Sequence, residues 1–100
     1  MGFDETGRAP EDPGEQYRLA FSVLRHVLAT AGCTPEDVVD LTSFHVGYPQ
    51  HMAEFMAAKE RFQGEGRPAW TAVGVAKLGT AQSLVEIKAI AQTQRTVGTS

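Results

Sequence analysis

The chain has 100 residues, of which 42% are hydrophobic and 21% charged, and 9 Lys and Arg against 12 Asp and Glu leave a net charge of −3. That is one domain's length with a thin core, and its acidic balance argues against a protein held on nucleic acid by bulk charge. No uncharged run reaches the ~20 residues of a spanning helix, no basic start leads into an apolar stretch, and the one cysteine, Cys33, has no internal partner, so a soluble cytoplasmic domain without membrane contact is expected.

The opening MGFDETGRAPED is rich in Gly, Pro and acid and reads as a loop. Asp12-Pro13-Gly14-Glu15 is a helix start, with a capping carboxylate, Pro at the first helical position and an acid three residues after the cap. Leu19, Ala20, Val23, Leu24, Val27, Leu28 and Ala31 then repeat at helical spacing and predict one buried stripe, ended by Gly32. Thr34-Pro35-Glu36-Asp37 repeats the cap-plus-Pro pattern for a single turn. Val38 to Val46 is rich in Val, Thr, Phe and Leu and predicts a strand, with Val39, Leu41, Ser43 and His45 on one face and Val38 on the other.

Gly47-Tyr48-Pro49 breaks that strand. A second helix is predicted from about Gln50 to Phe62, with Met52, Phe55, Met56, Lys59 and Phe62 along one side. Gln63 to Pro68 reads as a turn, Trp70 to Leu78 as an apolar and therefore central strand, Gly79-Thr80-Ala81 as a turn, and Leu84 to Ala91 as the last strand. Residues 1–92 form one domain in this reading, and 93–100 a flexible tail. The order is helix, strand, helix, strand, strand: an α+β layer with both helices on the face that carries Val85, Ile87 and Ala89. Three strands are few for two helices, so a further part of the sheet or a partner is expected to complete it.

Three blocks, AGCTPEDVVDLTSFHVG, PAWTAVGVAKL and LVEIKAIA, in this order resemble the reactive intermediate deaminase (Rid) family, formerly called YjgF-like. The resemblance covers residues 2–91. It implies a chorismate-mutase-like α+β fold and a homotrimer with clefts between subunits. For many members it implies hydrolysis of small enamines or imines to a ketone and ammonia, with no cofactor. The family's N-terminal strand pair, ending in Ser-Gly-Gln, would precede a segment like Met1–Thr6. That pair is therefore expected to be missing from this chain, along with the Tyr and Ser it contributes to the family's site.

By the same resemblance, Glu86 takes the place of the glutamate that holds or activates water, while the plain reading of its residues is a solvated glutamate paired with Lys88. Trp70 stands where the family's Pro-Ala-Arg arginine clamps a substrate carboxylate. An indole has one N–H donor and no charge, so it makes no such clamp; it would instead wall an apolar pocket or fill and close the cleft. Ala72 matches a position whose backbone N–H meets substrate. Lys59 matches an Asn of the second helix and would restore some positive charge. His45 is a candidate proton carrier near neutral pH, or a half-buried strand-end histidine. No His, Cys or acidic group has metal-ligand spacing, and Cys33, behind a helix C-terminus, reads as inert.

The function expected from the resemblance is hydrolytic deamination of a small enamine or imine in an intersubunit cleft, at Glu86, Trp70 and Ala72. The alternative is a non-catalytic homotrimer of the same fold that binds a small ligand. The ribonuclease activity attached to the family name comes third, since a net charge of −3 offers no basic stripe.

Overall fold

Asp12 starts the first helix as its sequence predicts: the carboxylate accepts the Glu15 N–H at 2.9 Å, and Pro13 occupies the first helical position. The computed structural model describes residues 11–79 and 82–92. Residues 1–10 of the expected opening loop, Thr80 and Ala81 of the expected turn, and the expected tail 93–100 lie outside the described residues. Helix α1 spans Pro13–Thr30. It closes through Gly32, at φ 81, with the Cys33 N–H donating to the Leu28 carbonyl at 2.8 Å.

A single 3-10 turn, Pro35–Asp37, leads into strand β1, Val38–Val46; helix α2 is Met52–Gln63, and strands β2 and β3 are Ala69–Val75 and Val85–Ala91. The sheet runs β2-β1-β3, with β1 parallel to β2 and antiparallel to β3. Parallel neighbours need a crossover connection, and α2 supplies it. Strand β2 is therefore an edge strand and β1 the central one, which corrects the central place expected for Trp70 to Leu78. The apolar run of β2 reflects two non-polar faces, not two strand neighbours.

The expected alternation of β1 also needs correction. Val38 is buried and Val39 is 46% exposed. The register slips between Val38 and Asp40, where Val38 opposes Ala91 and Asp40 opposes Ile90. This bulge inserts Val39 as an unpaired residue and turns Val38 into the core beside Leu41, Ser43 and His45. Across the sheet the same face carries Trp70 and Ala72 of β2 and Val85, Ile87 and Ala89 of β3. Both helices cover this face, as expected.

Helix α1 is rotated from its predicted stripe. It buries Gln16, Tyr17, Ala20, Phe21 and Leu28, while Val23 and Val27 are 39% and 57% exposed. The cause is α2: Phe55 meets Tyr17 edge-on and Phe21 at a tilt, both at 5.4 Å between ring centroids, and Phe62 lies 4.9 Å from Phe21. Aromatic rings bury more area than valines, so they decide which arc turns inward. On α2 itself, Ala58 takes the buried place expected for Met56, which is 48% exposed. Gln16 ties α1 to the entry of β3: its amide donates to the Gln82 carbonyl at 3.0 Å and accepts the Leu84 N–H at 2.9 Å.

Among the described residues no helix lies on the other sheet face. Register places Phe44 and Val46 of β1, Val73 and Val75 of β2, and Glu86, Lys88 and Ile90 of β3 there.

Candidate functional site

Four of the five candidate residues gather on the helix-covered side. Ser43, wholly buried in the middle of β1, joins two of them. Its hydroxyl oxygen accepts the Trp70 indole N–H at 2.9 Å and lies 2.7 Å from His45 Nε2. Ala72 is its register partner on β2. Lys59 reaches down from α2, with Nζ 4.7 Å from the centre of the Trp70 ring and donating to Gln63 Oε1 at 2.9 Å. The Trp70 ring stacks on Phe55 at 5.9 Å.

This geometry places Trp70 as a packing residue whose one donor is already spent. The ammonium of Lys59 rests on its face as a cation–π contact. Burial lowers the Lys59 pKa from its usual 10.5; Glu60 opposes that shift and Arg67 adds to it. His45 is 1% exposed and is packed edge-on against Phe55 at 4.6 Å. Burial lowers its pKa from 6.5, so the ring is neutral near pH 7. If the Ser43 hydroxyl donates to Nε2, the proton of the ring sits on Nδ1; if Nε2–H donates to Ser43, Nδ1 is bare. In either tautomer Nδ1 has no hydrogen-bond partner among the described residues. His45 is thus sealed into the core, the arrangement of a buried strand-end histidine, and the half-buried Trp70 packs against it through Ser43 and Phe55.

Glu86 stands apart. It opposes Phe44, whose other neighbour is Val73, so it projects on the helix-free face while Trp70 and Ala72 face the helices. Strand β1 also separates β2 from β3. Within one chain, therefore, Trp70 and Ala72 share neither a sheet face nor an adjacent strand with Glu86. Glu86 is exposed, its carboxylate has no ion pair or hydrogen bond among the described residues, and it borders a groove of about 300 Å³ with Val23, Val27 and Ile87. Strand β2 is the other free edge, and its outward N–H and C=O groups have no strand partner among the described residues.

Ser43 is the residue that sequence reasoning passed over. Its signal was present: a hydroxyl at an inward position between Leu41 and His45 must find a partner in the core. Among the described residues no group of three or more His, Cys, Asp or Glu is placed to hold a metal, and no helix is long and apolar enough to cross a membrane.

Known proteins are similar to this chain in sequence and fold. The family model described as Endoribonuclease L-PSP matches residues 1–93. The RutC family protein YjgH of Escherichia coli strain K12 is 42% identical over 93 residues, which cover 92% of this chain and 70% of the relative. The Rid protein YyfB of Yersinia pestis superposes with a TM-score of 0.81 at 29% identity, covering 91% of this chain and 71% of its own. TdcF of E. coli, solved with bound serine, superposes with a TM-score of 0.82 at 27% identity, covering 90% of this chain and 72% of its own.

Proposed function

The chain belongs to the Endoribonuclease L-PSP family, that of the Rid and YjgF-like proteins its three sequence blocks resemble, and on that premise we propose that it deaminates a small enamine or imine by hydrolysis, in a cleft between copies. The observation that carries this reading is Glu86, an exposed carboxylate with no partner among the described residues, on the sheet face that no helix covers. The serine bound by TdcF supports a small amino-acid-derived substrate. Glu86 and the free β2 edge are on separate parts of one chain, so a site that uses both takes them from two copies.

In this mechanism the substrate enters as an iminium, its carbon doubly bonded to a protonated nitrogen, directly or by protonation of the enamine carbon. Glu86 orients a water molecule and accepts its proton as the oxygen attacks the carbon. The protonated Glu86 then returns that proton to the carbinolamine nitrogen, the C–N bond breaks as the hydroxyl oxygen's electrons form the carbonyl, and the hydroxyl proton passes back to Glu86 and on to solvent, leaving ketone and ammonia. A carboxylate suits the step because it need only hold and deprotonate water next to an electrophilic carbon.

A second reading, non-catalytic binding of a small ligand by the same assembly, is favoured by Trp70. With its N–H given to Ser43 and Lys59 on its face, it offers no clamp for a carboxylate. Ammonia release measured over a panel of enamines separates the two. Glu86→Gln keeps shape and removes the base, and is expected to cut turnover about 100-fold or more. Unchanged turnover in that variant, on a substrate the native protein hydrolyses, overturns the catalytic assignment. Binding of the panel without ammonia release by the native protein establishes the second reading.

A further inference from the structure

On the outer side of the helical layer, lined by none of the five candidate residues, α1 and α2 leave a groove of about 380 Å³. Its volume falls at the low end of small-molecule pockets, ~300–1,000 Å³. Phe21 and Phe62 form its buried floor, and Arg18, Ser22, Arg25 and Arg61 line it. A chain with a net charge of −3 thus turns three of its 9 Lys and Arg toward one groove that no acidic side chain lines.

The three arginines are not equivalent. Arg18 is bound in a two-pronged pair by Glu15, at 2.8 and 2.7 Å. Arg25 and Arg61 have no ion pair or hydrogen bond among the described residues. The Arg25 guanidinium lies 6.0 Å over the Phe62 ring, which occupies its flat face and leaves its N–H edge free. An adjoining depression, also lined by Arg25, Arg61 and Phe62, holds Glu36, whose carboxylate accepts the Glu65 N–H at 3.4 Å. Arg25 of α1 and Arg61 of α2 line the groove from its two opposite helices, so an anion between the helices would meet a cation from each side. The C-terminal end of α2 favours a cation at Arg61, but it gives no reason for Arg25 in the middle of α1.

We propose that this groove is a second binding site, for a small aryl carboxylate. The flat ring packs along the exposed margin of the Phe21 and Phe62 floor, beside the Arg25 guanidinium that overlies Phe62, and the carboxylate is held by the forked N–H groups of Arg25 and Arg61. Ser22 supplies a hydroxyl along the wall. An arene fits better than an alkyl chain because the floor is aromatic, and a carboxylate better than a neutral group because two guanidinium edges have nothing else to hold. The site is independent of the chemistry proposed at Glu86.

The test is an amide NMR titration of the whole chain with naphthoate, with its neutral counterpart naphthylmethanol, and with acetate. Naphthoate is expected to give saturable shifts confined to residues 18–25 and 58–62, weakened by added salt. Arg25→Gln with Arg61→Gln is expected to weaken binding about tenfold or more, the scale of losing charge-assisted bonds. Arg25→Lys with Arg61→Lys keeps the charge without the fork and is expected to fall between. Lys77→Gln, which removes a charge elsewhere, is expected to leave binding unchanged. Equal affinity for naphthylmethanol, shifts outside the groove, undiminished binding in the Gln double variant, or displacement of naphthoate by a single-stranded oligonucleotide that binds more tightly would overturn the proposal.

Discussion

His45 illustrates how a single buried ring sets a pH limit on the fold. Burial holds its pKa below the usual 6.5, so as pH falls the unfolded chain takes up the proton before the folded one does. Stability is therefore full above pH 6.5, declines as pH drops through it, and stops declining below the folded-state pKa. Thermal melts from pH 7.5 down to 4.5 are expected to show this decline, and His45→Phe is expected to flatten it. A native slope retained in the variant would assign the effect to other groups. That His45 is buried was open on the sequence, because strand alternation puts it on a face without saying what covers that face. Trp70 was harder still: its place in the family motif was legible, but the partner of its N–H, Ser43, is 27 residues away.

The elements meet at Phe55. It is fully buried and touches Tyr17 and Phe21 of α1, His45 of β1 and Trp70 of β2. Phe55→Ala removes the one ring shared by all four contacts, and its cost is expected at about 3–5 kcal/mol. Urea unfolding followed by circular dichroism measures it; a loss under about 1 kcal/mol would show that the helical layer does not depend on this junction. The order of elements and the choice of covered face were legible, because Val85, Ile87 and Ala89 alternate without interruption and Asp12-Pro13 marks its helix. The rotation of α1 was not, since helical spacing fits the Val23 and Val27 arc as well as the Tyr17 and Phe21 arc, and the choice belongs to rings on α2. The bulge at Val39 likewise depends on pairing with β3, which no local pattern in β1 encodes.

At the scale of the whole molecule, the helix-free sheet face is the outstanding feature. Phe44, Val46, Val73 and Val75 are only half-buried there, and Ile90 is 50% exposed. Nothing among the described residues covers this apolar area, and contiguous patches of that kind mark association surfaces. The proposed arrangement is a homotrimer, with the number taken from the family resemblance and the need for a partner from this face. Light scattering at micromolar concentration is expected to return the mass of three chains, and Ile90→Asp to shift it toward one. A monomeric mass for the native protein would remove both the assembly and the cleft that depends on it. The three sequence blocks identified the family, and alternation along β3 put Glu86 opposite the helix-covered Val85, Ile87 and Ala89, but the separation of Trp70 from Glu86 was not legible, because β2 is non-polar on both faces and its alternation does not say which of them the helices cover.

The sequence holds one tryptophan, Trp70, and its indole is tied to the same hydroxyl as the one buried histidine. Fluorescence from this protein is therefore a single-site signal without engineering. Its emission should be displaced toward shorter wavelengths than that of free indole, because the ring is stacked and half-covered. It should also dim in the folded state as the pH falls toward the point where His45 gains its charge, since a charged imidazole quenches a nearby indole and the two rings share the Ser43 hydroxyl. A cuvette and a pH series would thus follow the interior of the sheet in solution, with the chain's own chromophore as the indicator.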